Sequence, residues 1–181
     1  LSVLSELGYE TVMRGRSIVD LNHDHNELWS SIRERYRGKI KQYSNIETYF
    51  GHISDEDFSC LVDRHFQLAG KKTKPDICWD ILKELVVRKK AMIFRYENEY
   101  LYFHVSRDYC YYAINASANV GHVTHALMWH AIMLLSDMDY TMLDLGPYYP
   151  VPVRDCLYDE ECKFGGTGRL SRCFGVTPGS T

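Results

Sequence analysis

A chain of 181 residues makes one domain, or one domain with an extension, and is long enough to bury a sizeable core. Its net charge of −3 argues against a protein coated in nucleic acid while leaving room for local basic patches. No apolar run is long enough to span a bilayer.

Leu1 opens neither a signal-peptide pattern nor an initiator methionine, so the sequence is expected to begin inside a longer gene product or to follow a removed tag. The six cysteines, Cys60, Cys78, Cys110, Cys156, Cys162 and Cys173, form no CxxC pair. Reduced thiols in a cytoplasmic setting follow as the expectation.

In chain order, Tyr9–Met13 and Ser17–Leu21 read as short strands around Arg14-Gly15-Arg16. Asp24-x-x-Glu27 is a capping box. It opens a helix with Leu28, Trp29, Ile32, Tyr36, Ile40 and Tyr43 on one stripe. Arg33, Arg35, Arg37, Lys39 and Lys41 interrupt that stripe, with Glu34 as the only acid among them. Such a row is either a solvated face or a docking surface for a phosphate-bearing substrate. Ser54-x-x-Asp57 caps the next helix, whose inner face is Phe58, Leu61, Val62, His65, Leu68 and Ala69, and Gly70 ends it. His65 reads there as a satisfied core histidine. Lys71, Lys72, Lys74 and Pro75 precede a third helix from Asp76 to about Lys90. Its acidic start and basic end suit the helix dipole.

An antiparallel meander follows: Ala91–Tyr96, Tyr100–Ser106 and Tyr109–Ala116. Leu101, Phe103 and Val105 alternate with Tyr100, Tyr102 and His104, which gives the middle strand two distinct faces. Tyr111–Gly146 then reads as strand, turn, helix, strand, with a connection length that suits a right-handed parallel crossover. The helix, from about His122 to Asp137, is apolar nearly all round and must be covered on more than one side. The strand Thr141–Leu145 is expected to stop at Gly146-Pro147. Small, open Ser117–Gly121 lies just before the helix start, where free N–H groups and the helix dipole favour an anion. After Pro147 the chain is irregular, with a charged stretch at Asp155–Glu161 and glycine-bearing segments at Lys163–Gly166 and Arg172–Gly175.

The sequence resembles the FemABX-like branch of the GNAT acyltransferases. The stretches that carry the likeness are LWSSIRERYR from Leu28, HFQLAGKKT from His65, and HAL-x-W-x-AI from His125 leading to Leu143-Asp144-Leu145-Gly146, with the closing Lys163-Phe164-Gly165-Gly166. It covers most of Asp20–Gly175. The fold implied is α/β: a GNAT-like mixed sheet with an antiparallel meander, a βαβ crossover around a central buried helix, and flanking helices. Members usually carry two GNAT-like halves. Residues 1–25 would then be an extension or the remnant of a preceding half, and 26–181 the GNAT-like domain.

The resemblance implies acyl transfer to a primary amine of a glycan- or peptidoglycan-type precursor. No cofactor is held tightly; acyl-CoA or aminoacyl-tRNA is the co-substrate. The partners implied are the glycan-linked amine, tRNA, and either a missing N-terminal half or a second copy of the chain. Aligned on Gly121, the loop has Ala118 where coenzyme A binders carry Gln or Arg and Val123 where they carry Gly or Ala, which weakens acetyl-CoA binding. Ser117, Asn119 and Gly121 are the co-substrate-binding candidates. Arg33 or Arg37 would meet substrate phosphate. In the closing motif Lys163 and Arg172 compete for the basic position near the reacting groups.

The chemistry needs a proton acceptor for the amine, an oxyanion site and alignment, of which alignment alone contributes ~7–11 kcal/mol. Asp144 is the candidate base, against a role bonding nearby backbone at a strand end. N–H groups of Tyr111–Ala116 are candidates for the oxyanion. Tyr112 and Tyr148 are proton-donor or substrate contacts, against simple packing. His122, His125 and His130 share a helix, and His23-x-His25 forms a second pair, but neither has a zinc spacing, so no metal is expected. No cysteine has a glycine elbow or partner histidine. The alternative to an enzyme is a catalytically silent GNAT-fold module that recognises a phosphate-bearing ligand or partner.

Overall fold

The computed structural model describes residues 15–118 and 122–148. Six strands form one mixed sheet: β1 (Gly15–Asp20), β2 (Glu47–Tyr49), β3 (Ala91–Tyr96), β4 (Glu99–Ser106), β5 (Tyr109–Ala116) and β6 (Met142–Tyr148), in the spatial order β1-β6-β5-β4-β3-β2. Every neighbouring pair is antiparallel except β5 with β6. Among the described residues five helices cover the sheet: α1 (His25–Ser31), α2 (Glu34–Ile40), α3 (Asp55–Ala69), α4 (Asp76–Val87) and α5 (Val123–Asp137). The expected α/β architecture, with its meander, crossover and central helix, is what the chain adopts.

The alternation in β4 divides the interior. Leu101, Phe103 and Val105 join the core under α1, α2 and α5, whereas Tyr100 and Tyr102 join the core under α3 and α4. Helix α5 is buried on both sides, against β3 and β4 below and α2 above. That sandwiching is why its polar residues are so few.

Four elements differ from the expectations. The stripe from Leu28 to Tyr43 is two helices rather than one. Ile32 and Arg33 take extended conformations (ψ 131° and 132°), which drop the Ile32 side chain completely into the core. The hydroxyls of Ser30 and Ser31 donate to carbonyls three residues back, and Arg37 Nε donates to Ile32 O at 2.8 Å, so the break keeps its polar groups satisfied. Strand β6 runs through Gly146-Pro147 to Tyr148, since β1 pairs with it there, and β6 itself carries the bulge, with Leu145 and Gly146 opposite Ser17 alone between the Arg16↔Pro147 and Ile18↔Asp144 pairs. A proline is tolerated beside a bulge. Strand β2 is only three residues long, too short for a readable alternation, and the third helix stops at Val87. Ser17–Asp20 falls within β1, while Tyr9–Met13 lies outside the described residues.

Candidate functional site

The two parallel strands part company early. Their ladder comprises Tyr109↔Met142, Cys110↔Leu143 and Tyr111↔Asp144, and goes no further. Beyond it, among the described residues, β5 continues to Ala116 beside β4 and β6 continues to Tyr148 beside β1, with no pairing between the two. Within the free stretch of β5 the register with β4 slips by one residue at Ala113, since Tyr102 faces Ile114 and Phe103 faces Tyr112. A bulge of this kind re-aims backbone groups. The slot opens at the carboxyl end of β5, just ahead of the start of α5, the usual place for ligands in open α/β sheets.

Asp144 sits at the vertex of the fork. It is fully buried, and its carboxylate accepts from the Arg16 guanidinium on β1, from the Tyr109 hydroxyl on β5 and from Gly146 N at 2.7 Å. Arg16 is held charged chiefly by its bond to Asp144. Burial, reinforced by the carboxylate, pushes the Tyr109 phenol up to about 12. Three elements are thus pinned at one side chain.

The loop across the mouth is anchored before it reaches α5. Ser117 N donates to Asn115 Oδ1 at 3.0 Å, and Ala118 N donates to Glu99 Oε2 at 2.6 Å. The other Glu99 oxygen pairs with Arg64 on α3. The hydroxyls of Ser117 and Thr124 bond each other at 2.6 Å, tying the loop to the first turn of α5. The first two loop N–H groups are therefore already engaged. Asn119 and Gly121 lie outside the described residues.

On the α2 side, Tyr36 stacks on His125 at 4.8 Å and meets the edge of His122 at 5.8 Å. Lys39 Nζ donates to His122 Nε2 at 2.7 Å, so that ring is the Nδ1–H tautomer. Burial, then the Lys39 charge, hold His122 below the ordinary imidazole value. The Arg35 guanidinium lies over the Tyr36 ring at 4.8 Å and donates to its hydroxyl at 3.0 Å. Arg37 turns inward to Ile32 O and Ser30 O, whereas Arg33 is exposed at the start of α2. Among the described residues, none of Arg33, Arg35, Arg37, Lys39 and Lys41 has a carboxylate within ion-pair distance.

On the α3 side, His65 is half-buried. Its Nδ1 donates to Asn115 O at 3.4 Å, its Nε2 accepts from Thr73 Oγ1 at 2.8 Å, and its ring packs on Trp79 at 5.3 Å. That agrees with its reading as a satisfied histidine, though the group it touches on β5 lies on the open stretch. Tyr112 is on the opposite face, buried beside Phe103 at 5.4 Å, with its hydroxyl unpartnered and burial pushing its ionisation up.

The structure thus gathers Asp144, Ser117 and Tyr112 around the fork and leaves Arg33 and Arg37 along α2. Lys163, Arg172 and the Tyr148 side chain lie outside the described residues. Tyr36, Lys39, Arg64 and Glu99 are additions. Lys39 and Tyr36 belonged to a row already marked by its charge, but nothing local in the sequence links Arg64 to Glu99, 35 residues on. No cluster of metal-ligating side chains occurs among the described residues. A groove of about 380 Å³ lies off to the side, between α1, the end of α2 and α5, lined by Trp29, Lys41, Trp129 and His130 among others.

No protein family matches the chain, and no curated protein is significantly similar to it in sequence. Solved structures are similar in fold. FemX superposes with a TM-score of 0.67 at 12% identity over 97% of this chain and 65% of its own. The C-terminal domain (DUF2156) of a putative lysylphosphatidylglycerol synthetase from Agrobacterium fabrum gives 0.60 at 12% identity, over 98% of this chain and 61% of that one. L-PGS from Bacillus licheniformis gives 0.51 at 16% identity, over 86% and 52%. The chain spans between half and two thirds of the length of these proteins. The fold is the FemABX-like GNAT fold that the sequence resemblance implied.

Proposed function

We propose that this chain is an N-acyltransferase domain that moves an aminoacyl group from aminoacyl-tRNA to a primary amine of a glycan- or peptidoglycan-type precursor. The observation that carries the reading is the fork: a parallel ladder that ends at Tyr111↔Asp144 and leaves a slot between β5 and β6 at the start of α5. A slot of backbone edge aligns two reactants without requiring many catalytic side chains. The register slip at Ala113 frees backbone for an oxyanion developing on the acyl carbon.

Aminoacyl-tRNA is favoured over acyl-CoA by two features. The N–H groups of Ser117 and Ala118 are spent on Asn115 and Glu99, so neither is available to cradle a pyrophosphate. Among the described residues, the cations of α2 have no carboxylate within ion-pair distance, as suits a surface that meets a polyanion. The names of two fold neighbours, FemX and a putative lysylphosphatidylglycerol synthetase, support the class and leave the acceptor open. Asp144 acts as the pin of the fork in this reading, because its oxygens are already committed to Arg16, Tyr109 and Gly146. Lys163 and Arg172 are retained as candidates for contact with phosphate. No helix among the described residues is long and apolar enough to cross a membrane.

The test is transfer from isotopically labelled aminoacyl-tRNA, with acetyl-coenzyme A in parallel, to a UDP-linked muramyl peptide and to free amino sugars, read by mass spectrometry. Amide product from the tRNA donor is expected. Binding of tRNA without any acyl transfer would replace the enzyme with a recognition module, and transfer from acetyl-coenzyme A alone would overturn the choice of donor.

A further inference from the structure

If Asp144 pins the fork, the attacking amine needs another proton acceptor. His65 touches the open end of β5, and His122 stands at the start of α5. His122 Nε2 already receives an N–H from the Lys39 ammonium at 2.7 Å, so it faces a fixed positive charge. His65 is placed differently. Its Nδ1–H is fixed by Asn115 O, on the part of β5 past the last β6 pair, which commits the lone pair to Nε2. Nε2 bonds the hydroxyl of Thr73, an exposed residue whose neutral group an incoming N–H can displace.

We propose that His65 is the general base of the transfer, taking a proton from the acceptor ammonium through Nε2. This rests on the transferase reading above. The ammonium gives one proton to Nε2, and the nitrogen lone pair forms the C–N bond to the acyl carbon. The ester C–O bond to the donor ribose then breaks. The imidazolium returns its proton to the departing oxygen, and the second proton on nitrogen leaves to water, so one ammonium and one ester yield one amide, one hydroxyl and one proton.

The surroundings keep the ring in the basic form. Burial is the largest influence lowering its proton affinity, the bond to Asn115 opposes this, and the Lys74 charge ahead of α4 adds to the lowering. Trp79 of α4 and Asn115 of β5, which touch the ring, bring no charge.

The test compares the pH profile of transfer from labelled aminoacyl-tRNA with the titration of His65 read directly by NMR. The acid limb of kcat/KM is expected to coincide with the His65 titration. His65→Gln should lower kcat by about 100-fold or more, the usual span for a general base, while tRNA affinity stays within about twofold. Thr73→Val leaves the ring in place and removes only the hydroxyl bonded to Nε2. It should move the NMR titration and the acid limb together, which keeps the test decisive if His65→Gln fails to fold. A His65→Gln enzyme with the wild-type profile, or a Thr73→Val limb that ignores the NMR shift, overturns the assignment and leaves the transferase reading standing. A wild-type protein that transfers nothing overturns both.

Discussion

Asp144 on β6 is fully buried while its partner on β1, Arg16, is about half exposed, and the pair closes at the last rung of the parallel ladder. Removing the two sides should have unequal consequences. Arg16→Met leaves a buried carboxylate without its counter-charge, and a broken buried pair costs roughly 3–5 kcal/mol. The exposure of Arg16 places this case at the low end, about 3 kcal/mol. Asp144→Asn removes the buried charge and returns Arg16 to solvent, so adding it to Arg16→Met should recover about 1 kcal/mol or more. Urea unfolding of the four proteins measures the cycle, and strict additivity would show that the pair does not hold the vertex.

Gly146 follows Asp144 by two residues, gives its N–H to that carboxylate and has φ +103°. A side chain is strained at such a φ, so Gly146→Ala should destabilise the chain by about 1–3 kcal/mol. Because the strain sits on β6, the variant should also speed amide exchange at its hydrogen-bonded neighbours on β1. A neutral outcome in thermal unfolding would contradict the strained φ at Gly146.

The layout of the fold was legible because period-2 and helical patterns are strong in residues 91–145, where each face of β4 feeds a different core. The break at Ile32-Arg33 was not, since an apolar stripe continues across it and only tertiary burial of Ile32 decides the kink. The run through Gly146-Pro147 was hidden for a related reason: a proline reads as a stop until the bulge beside it in β6 and the β1 pairing beyond are known. In the site, the small loop and Asp144 were visible as residue types. The Arg64–Glu99–Ala118 chain was not, because it joins a helix, a strand and a loop across non-local contacts.

His65, His104, His122 and His130 are all held below the ordinary imidazole value, in each case chiefly by burial. Their folded pKa values lie under the unfolded value of about 6.5, so the unfolded chain binds more protons in that window and stability rises with pH. The contribution is complete above the unfolded value and is lost as pH falls through the folded ones. Tm should therefore drop between pH 7.5 and 5.5. His104→Gln should flatten the dependence, and a pH-independent Tm by calorimetry would rule this out.

The cations of α2 predict a salt signature. Arg33 is exposed and Lys39 is at the mouth of the site, so each is a candidate for one phosphate contact. Binding of aminoacyl-tRNA should weaken steeply from 50 to 200 mM salt, and Arg33→Glu or Lys39→Glu should each reduce the log–log slope by about 1. Arg37→Ala should instead act mainly on stability, because that side chain caps the carbonyls of Ser30 and Ile32. Fluorescence anisotropy across the salt series separates the two, and an unchanged slope in both glutamate variants would remove α2 from the binding face.

Glu99 links the mouth of the slot to the α3 side. One carboxylate oxygen holds Ala118 N at 2.6 Å and the other holds Arg64, with both side chains mostly covered, at 14% and 22% exposure. Glu99→Gln keeps an acceptor for the loop N–H and loses the ion pair; Glu99→Ala loses both. A hydrogen bond to a charged group contributes about 1.5–3 kcal/mol, so Glu99→Ala should free the Ala118 amide to exchange at least about tenfold faster, tenfold corresponding to ~1.4 kcal/mol. Glu99→Gln should fall between the wild type and Glu99→Ala. If the loop aligns the donor, KM for aminoacyl-tRNA should rise in the same order, with the effect on kcat smaller. Equal Ala118 exchange in all three proteins would mean that Glu99 does not hold the loop; altered exchange with unchanged KM would mean that the loop is held but does not meet the donor.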